Sequence, residues 1–239
     1  MHKRITVASV LLSVLFMFGC SREGELRGNI FIVTNGAANI KLGLVEVSAI
    51  AEKDMNDFLV NRSKVVDTEI ARTQEEYDTI KAQFDEANSQ YFQARKWAQE
   101  EESRNMSGGD FSLSDARRAL DKATVLDEIR PKLDSAELAL AYVRSAAPWF
   151  EGMPKAIITA STDGDGKFSM KLPRSGKFAI VAHASRQVFS SKEEYYWIVW
   201  TSLEGEASKN VTLSNKNLLL GEDDIKAQLA LFLKPIERD

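Results

Sequence analysis

The residues able to do chemistry in this 239-residue chain are few and widely spaced. There are two histidines, His2 and His183, and one cysteine, Cys20. A zinc site of the usual His and Cys kind is excluded by those counts. His183 stands alone in the apolar run Val181 to Ala184. A Ser–His–Asp relay built on it would want a nucleophile on an elbow such as G-x-S-x-G, and none accompanies it, so a structural histidine is expected. Asp163, Gly164, Asp165 and Gly166 put carboxylates at alternate positions, as at the start of a calcium loop. Such a loop also needs a later bidentate Glu. Lys167, Phe168 and Ser169 supply none, and the four residues read as a tight β-turn that uses the φ > 0 tolerance of glycine. No Walker loop, dinucleotide fingerprint or helical HExxH occurs, and nothing nominates a catalytic pair among 35 acidic residues. The chain is expected to be non-enzymatic, with no catalytic residue, no cofactor and no metal.

Binding offers more. Residues 195–200, YYWIVW, are the densest aromatic stretch. Strand alternation sends Tyr195, Trp197 and Val199 to one face and Tyr196, Ile198 and Trp200 to the other. One face belongs to a core. The other either covers neighbouring helices or presents a platform for glycan, peptide or lipid, with Tyr195, Trp197 and Trp200 as candidate contacts. Trp149 and Phe150 belong to the same junction. Glu100, Glu101 and Glu102 form a solvated helix end.

These residues must be positioned by two kinds of element. Residues 26–50 alternate as β, with Ile30 and Ile32 on one face, Phe31 and Val33 on the other, a turn signal at Asn35-Gly36 and a second strand from about Ile40 to Ile50. From about Glu52 the period becomes helical. Tyr77, Ile80, Phe84, Ala87, Tyr91, Ala94 and Ala98 recur at alternating spacings of 3 and 4, the pattern of a coiled-coil seam. After a break at Asn105 to Asp110, where Ser112 or Ser114 can cap the next helix, the seam returns as Leu126, Ile129, Leu133, Ala136, Leu140, Val143 and Ala147. Two seams joined by a Gly-Gly turn predict an antiparallel helical hairpin. Pro131 should kink or restart its return arm, which pairs back to about residue 68 and leaves 52–67 as a shorter helix. Five further strands are predicted within 155–161, 163–173, 176–185, 194–203 and 207–213, and a short helix from Gly221 to Lys234 carries Ile225, Leu229 and Phe232 on one face, with Pro235 as its stop. The expected fold is α+β, an antiparallel β-sandwich of about seven strands (26–50 plus 155–213) interrupted by a long antiparallel coiled-coil hairpin (51–148), with a tail at 214–239.

The chain opens with a basic Met1 to Arg4 and an uncharged Ile5 to Phe18, too short to cross a hydrocarbon core and typical of a secretory signal. Gly19 and Cys20 follow. This arrangement resembles the lipobox of bacterial lipoprotein precursors. The resemblance implies a signal peptide at 1–19, cleavage before Cys20, a diacylglycerol thioether on its sulfur, an acyl chain such as palmitate on its amino group, and a lipidated tether at 20–25. Ser21 in place of Asp implies the outer membrane, facing the periplasm, in a Gram-negative cell. An ordinary signal peptide cut nearby and an uncleaved anchor are the other readings of the same run. Each buried CH₂ contributes about 0.8 kcal/mol, so two or more signals are needed for stable attachment. Acylation of Cys20 leaves no thiol for disulfides, and loss of Lys3 and Arg4 moves the formal charge from −4 to −6. An acidic chain without a basic run has no electrostatic case for nucleic acid.

The β segments LRGNIFIV (26–33) and TDGDGKFSMKLPRSGKFAIVAHA (162–184) resemble the transthyretin-like or carboxypeptidase-regulatory-like sandwich, in which a strand ending in Leu-Pro is followed by one beginning Gly-Lys and an aromatic residue. That resemblance implies accessory, adhesive or structural modules. Three functions are carried forward: a lipid-anchored envelope scaffold meeting an envelope protein through the 68–147 hairpin, a glycan-, peptide- or lipid-binding module using the Tyr195–Trp200 surface, and a homo-oligomer formed through the hairpin seams.

Overall fold

The computed structural model describes residues 23–34, 36–105 and 113–233. The predicted signal segment, Cys20, Asn35, the predicted turn at Gly108-Gly109, Ser112 and Pro235 lie outside the described residues. The chain is α+β, with eight strands in two four-stranded sheets and a helix of 54 residues.

The first sheet is built on β1 (Glu23–Val33). β2 (Asn39–Lys41) and β5 (Lys167–Pro173) share one edge of it, since Ile30 donates its N–H to Gly166 and accepts from Leu42 on the same side. β8 (Ser208–Leu213) lies along the other edge. The second sheet runs β4 (Ile158–Ser161), β3 (Glu46–Ala51), β6 (Lys177–Val188), β7 (Ser191–Ser202). Inward side chains of both sheets share one core, including Leu26, Ile30, Met170 and Leu213 from the first and Val47, Ile180 and Trp197 from the second.

Several boundaries depart from the expected ones. The stretch predicted as one strand from 40 to 50 is two strands in different sheets. Leu44 takes φ 59 at the break, and the buried Thr162 hydroxyl holds the crossing by donating to the Leu42 carbonyl (2.8 Å) and accepting the Val45 N–H (2.9 Å). The first strand starts at Glu23, so the predicted tether is shorter than 20–25; Glu23 to Glu25 pair with Pro173 to Lys171. The sheets are not wholly antiparallel either. β8 runs parallel to β1, with Leu26 opposite Lys209 and Ile30 opposite Leu213, because the chain leaves β7 and changes sheets at the end of the body where β1 begins.

α1 (Glu52–Asn105) follows β3 without a break, so the separate helix expected at 52–67 is its first four turns. Met55, Leu59 and Val66 are buried in a second core with Ile50, Ala179, Val181, Ile198 and Trp149. α1 therefore covers the outer face of the second sheet, which is apolar on both sides for that reason. α2 (Leu113–Arg144) passes through Pro131 as one helix. Three contacts set the two helices antiparallel: Lys122 donates to Gln90 (2.7 Å), Arg144 to Gln74 (2.7 Å), and the Arg130 guanidinium lies over the Phe84 ring. Ala87, Ala94, Leu126, Ala136, Leu140 and Val143, all stripe positions, are buried. α3 (Glu222–Leu233) adds Ile225 and Leu229 to the second core, and its Lys226 pairs with Asp67 of α1 at 2.7 Å.

Candidate interaction surfaces

The aromatic stretch of β7 is structural on both faces. Trp197 is fully buried between the sheets, and its indole N–H donates to the Ser214 carbonyl at 3.1 Å. Tyr195 is buried in the same core, where burial, then the neighbouring Glu193 that accepts its hydroxyl proton, pushes its phenol pKa up. Trp200 and Tyr196 are half-buried against the second core. Tyr195, Trp197 and Trp200 thus form no open platform: α1 and the Ala147–Phe150 turn cover one side and the first sheet covers the other. A doubly covered strand carries no polar face, so its sequence left packing against the helices and an open platform as alternatives.

His183 projects on the outer side of β6, paired through Nε2 with Glu194 Oε2 at 2.5 Å and stacked on Tyr196 at 4.6 Å. Burial pushes the Glu194 carboxyl up, but hydrogen bonds from Lys192 and His183 outweigh it and leave it below the usual carboxylate range. Tyr196 in turn packs on Phe150 at 4.8 Å. This row carries the body across to the helices. A polar latch completes the root: Glu151 accepts the Tyr142 hydroxyl (2.5 Å) and the Arg62 guanidinium (2.5 Å), and Arg62 Nε also reaches the Pro148 carbonyl. The Tyr142 hydrogen bond, then that of Arg62, holds Glu151 below its ordinary range.

Beyond the root the helices form an arm. Ile70 is the last α1 side chain in the second core, and from there to Asn105 the helix rises about 50 Å. Phe92, Trp97 and Leu120 stand on this arm 57%, 49% and 67% exposed.

A second surface lies on the outer face of the first sheet, where none of the described residues covers the strands. Its groove of about 610 Å³ is floored by Arg27, Asn29 and Phe31 of β1 and walled by Lys41, Asp165 and Ser169 on one side and Asn210 on the other. Two ion pairs frame it. Glu25 accepts from Arg27 (2.6 Å) and from Ser169 Oγ (2.6 Å), which hold its carboxyl low. Asp165 accepts from Lys41 at 2.7 Å, with Lys167 at 3.5 Å, and is likewise lowered. Asp163 Oδ1 accepts the N–H groups of Asp165 (2.9 Å) and Lys167 (2.8 Å), the hydrogen bonding of a tight turn. Among the described residues no cluster of three or more potential metal ligands occurs. No single segment announced this groove, since its residues come from four strands and a turn.

No family model matches the chain, and no curated protein matches it. Three solved structures overlap it loosely. One is a Pseudomonas aeruginosa protein described provisionally as carbohydrate-binding, 10% identical over 81% of this chain and 88% of that one, with a TM-score of 0.32. The others are the pilus backbone of Streptococcus pneumoniae, 8% identical over 81% and 41% of the two chains at a TM-score of 0.20, and its full-length major pilin, 8% identical over 80% and 30% at 0.21.

Proposed function

We propose that the chain is a lipid-anchored, non-catalytic module of the bacterial cell envelope, a transthyretin-like sandwich that presents a coiled-coil arm to a protein partner. One observation carries this: among the described residues no α1 side chain past Ile70 belongs to the second core, and its cross-contacts at Gln74, Phe84 and Gln90 run to α2, so this length of paired helix adds reach and surface to the body. The geometry supports an outward arm. Glu23 pairs with Pro173, Ala51 pairs with Phe178, and Lys177 lies 3.8 Å from Glu52, so β1 and α1 start at one end of the body. α2 ends further along the strands, where Ser145 bridges to Gly221 and Leu219 to Tyr196. An anchor on Cys20, three residues before Glu23 at the start of β1, would hold that starting end at the bilayer and point the arm away from it.

The arm is tested by replacing residues 75–139 with a short glycine linker, which the Gln74–Arg144 contact leaves room to close. A photo-crosslinker at Phe92, Trp97 or Leu120 should capture an envelope protein in the intact chain, and general crosslinking should lose that protein in the folded deletion. Survival of every crosslinked partner in the deletion would remove the arm as the binding element; crosslinks only between copies of this chain would favour the homo-oligomer. For the anchor, Cys20→Ser should abolish palmitate labelling and leave unprocessed precursor, whereas unchanged processing would indicate an ordinary signal peptidase site.

A further inference from the structure

We infer that the outer face of the first sheet is a saccharide-binding site, separate from the arm, whose ligand is a neutral oligosaccharide lying along β1. The residues that define it are Arg27, Asn29, Phe31, Lys41, Asp165 and Asn210. Their chemistry selects the ligand. The cations are already balanced, Arg27 by Glu25 and Lys41 by Asp165, so the groove presents no strong field of either sign and suits an uncharged partner. These exposed pairs contribute little to stability, yet they hold donors and acceptors side by side in fixed positions. Vicinal hydroxyls, each both donor and acceptor, match that arrangement, and the side-chain amides of Asn29 and Asn210 offer the same double capacity. Asn29 is oriented in advance, because its Oδ1 accepts the Thr212 hydroxyl at 3.0 Å.

Phe31 supplies the apolar component. It is half-buried and lines both this groove and a smaller one of about 350 Å³ bounded by Val33, Thr212 and Asn215. A ring flanked by two hollows, each with polar groups at its rim, is where the C–H face of a sugar would rest while its neighbours in the chain occupy the hollows. Other occupants fit worse. A peptide strand docks on a sheet edge through backbone groups, but β1 is the central strand here, paired on both sides. Nucleic acid asks for a cationic surface, and a membrane for an apolar one.

The probes are insoluble polysaccharides (cellulose, chitin, a β-1,3-glucan and peptidoglycan sacculi), used in equilibrium pull-down of the full chain at about 0.1 M and about 0.5 M salt. At least one should retain the protein at both salt concentrations. Asn210→Ala, an exposed substitution that keeps the fold, and Asp165→Asn should each weaken retention about three- to tenfold, the loss of one or two hydrogen bonds. Phe31→Ala should weaken it further, and Lys53→Ala, on α1, should leave it unchanged. Retention by none of the four, retention abolished at the higher salt, or retention indifferent to Asn210→Ala and Asp165→Asn would each overturn the inference. The result is independent of the crosslinking outcome, because the groove and the arm share no residue.

Discussion

Adding a single methyl at Gly28 should be among the most damaging small changes in this protein. Gly28 points inward from the middle of β1, and a Cβ there would lie 2.3 and 2.5 Å from two atoms of the Phe168 ring and 2.8 Å from the Val211 carbonyl oxygen. Phe168 is itself 5% exposed and belongs to the core between the sheets, so the ring has to retreat by about 1 Å into close-packed neighbours. The carbonyl cannot retreat without disturbing the β1–β8 ladder, where Gly28 sits opposite Val211. Overpacking typically costs about 1–3 kcal/mol, and with a backbone atom among the obstacles Gly28→Ala should lie near 3 kcal/mol, about 6–12 °C in Tm for a chain of this size. Thermal unfolding followed by circular dichroism measures it. Adding Phe168→Leu should recover about 1 kcal/mol or more, because the smaller side chain vacates the space the methyl needs. A Tm fall below about 2 °C for Gly28→Ala, or a double variant no better than the sum of its parts, would refute the packing argument.

Trp197→Phe keeps most of the apolar volume and removes one of the two hydrogen bonds to the buried Ser214 carbonyl, leaving the one from the Asn217 N–H at 3.1 Å; denaturant unfolding should show a loss of about 0.5–1.5 kcal/mol. Because Glu151 is held below its ordinary range in the folded chain, the latch contributes stability above the unfolded carboxylate pKa and loses it as pH falls through the lower folded value. Protection against hydrogen exchange in the segment 140–151, taken relative to the intrinsic rate at each pH, should therefore fall on acidification below the ordinary carboxylate range, and Glu151→Gln should flatten that dependence. Pro131→Ala restores one helical hydrogen bond in α2, and should raise the stability of the arm by about 1–3 kcal/mol, read as a higher melting temperature of the helical signal.

Legibility in the sequence followed the range of the interaction responsible. The two helical stripes were visible because burial on an α-helix is written every three or four residues, and Ala87, Ala94, Leu126, Ala136, Leu140 and Val143 are buried where that spacing places them. The late strands were visible by alternation, most clearly in β5, where Phe168, Met170 and Leu172 face inward. The break at Leu44 was not visible, since a residue with a side chain at φ 59 carries no glycine to mark it and the Thr162 that stabilises it is far away in sequence. The aromatic run of β7 was readable as a strand, but whether its second face covered the helices or formed a platform was not, because exposure depends on what covers each face.

Taken alone, the sequence determined the alternation of β and helical segments, the two helical stripes and the scarcity of histidine and cysteine, all matters of composition or short-range period. The tertiary structure decided which strands pair, that β8 runs parallel to β1, that Tyr195 and Trp197 are core, and that Arg27, Asn29 and Phe31 meet Lys41, Asp165 and Asn210 in one groove. The physical reason is that sheet register and layer crossing are set by pairings between distant segments, which leave no local period to read.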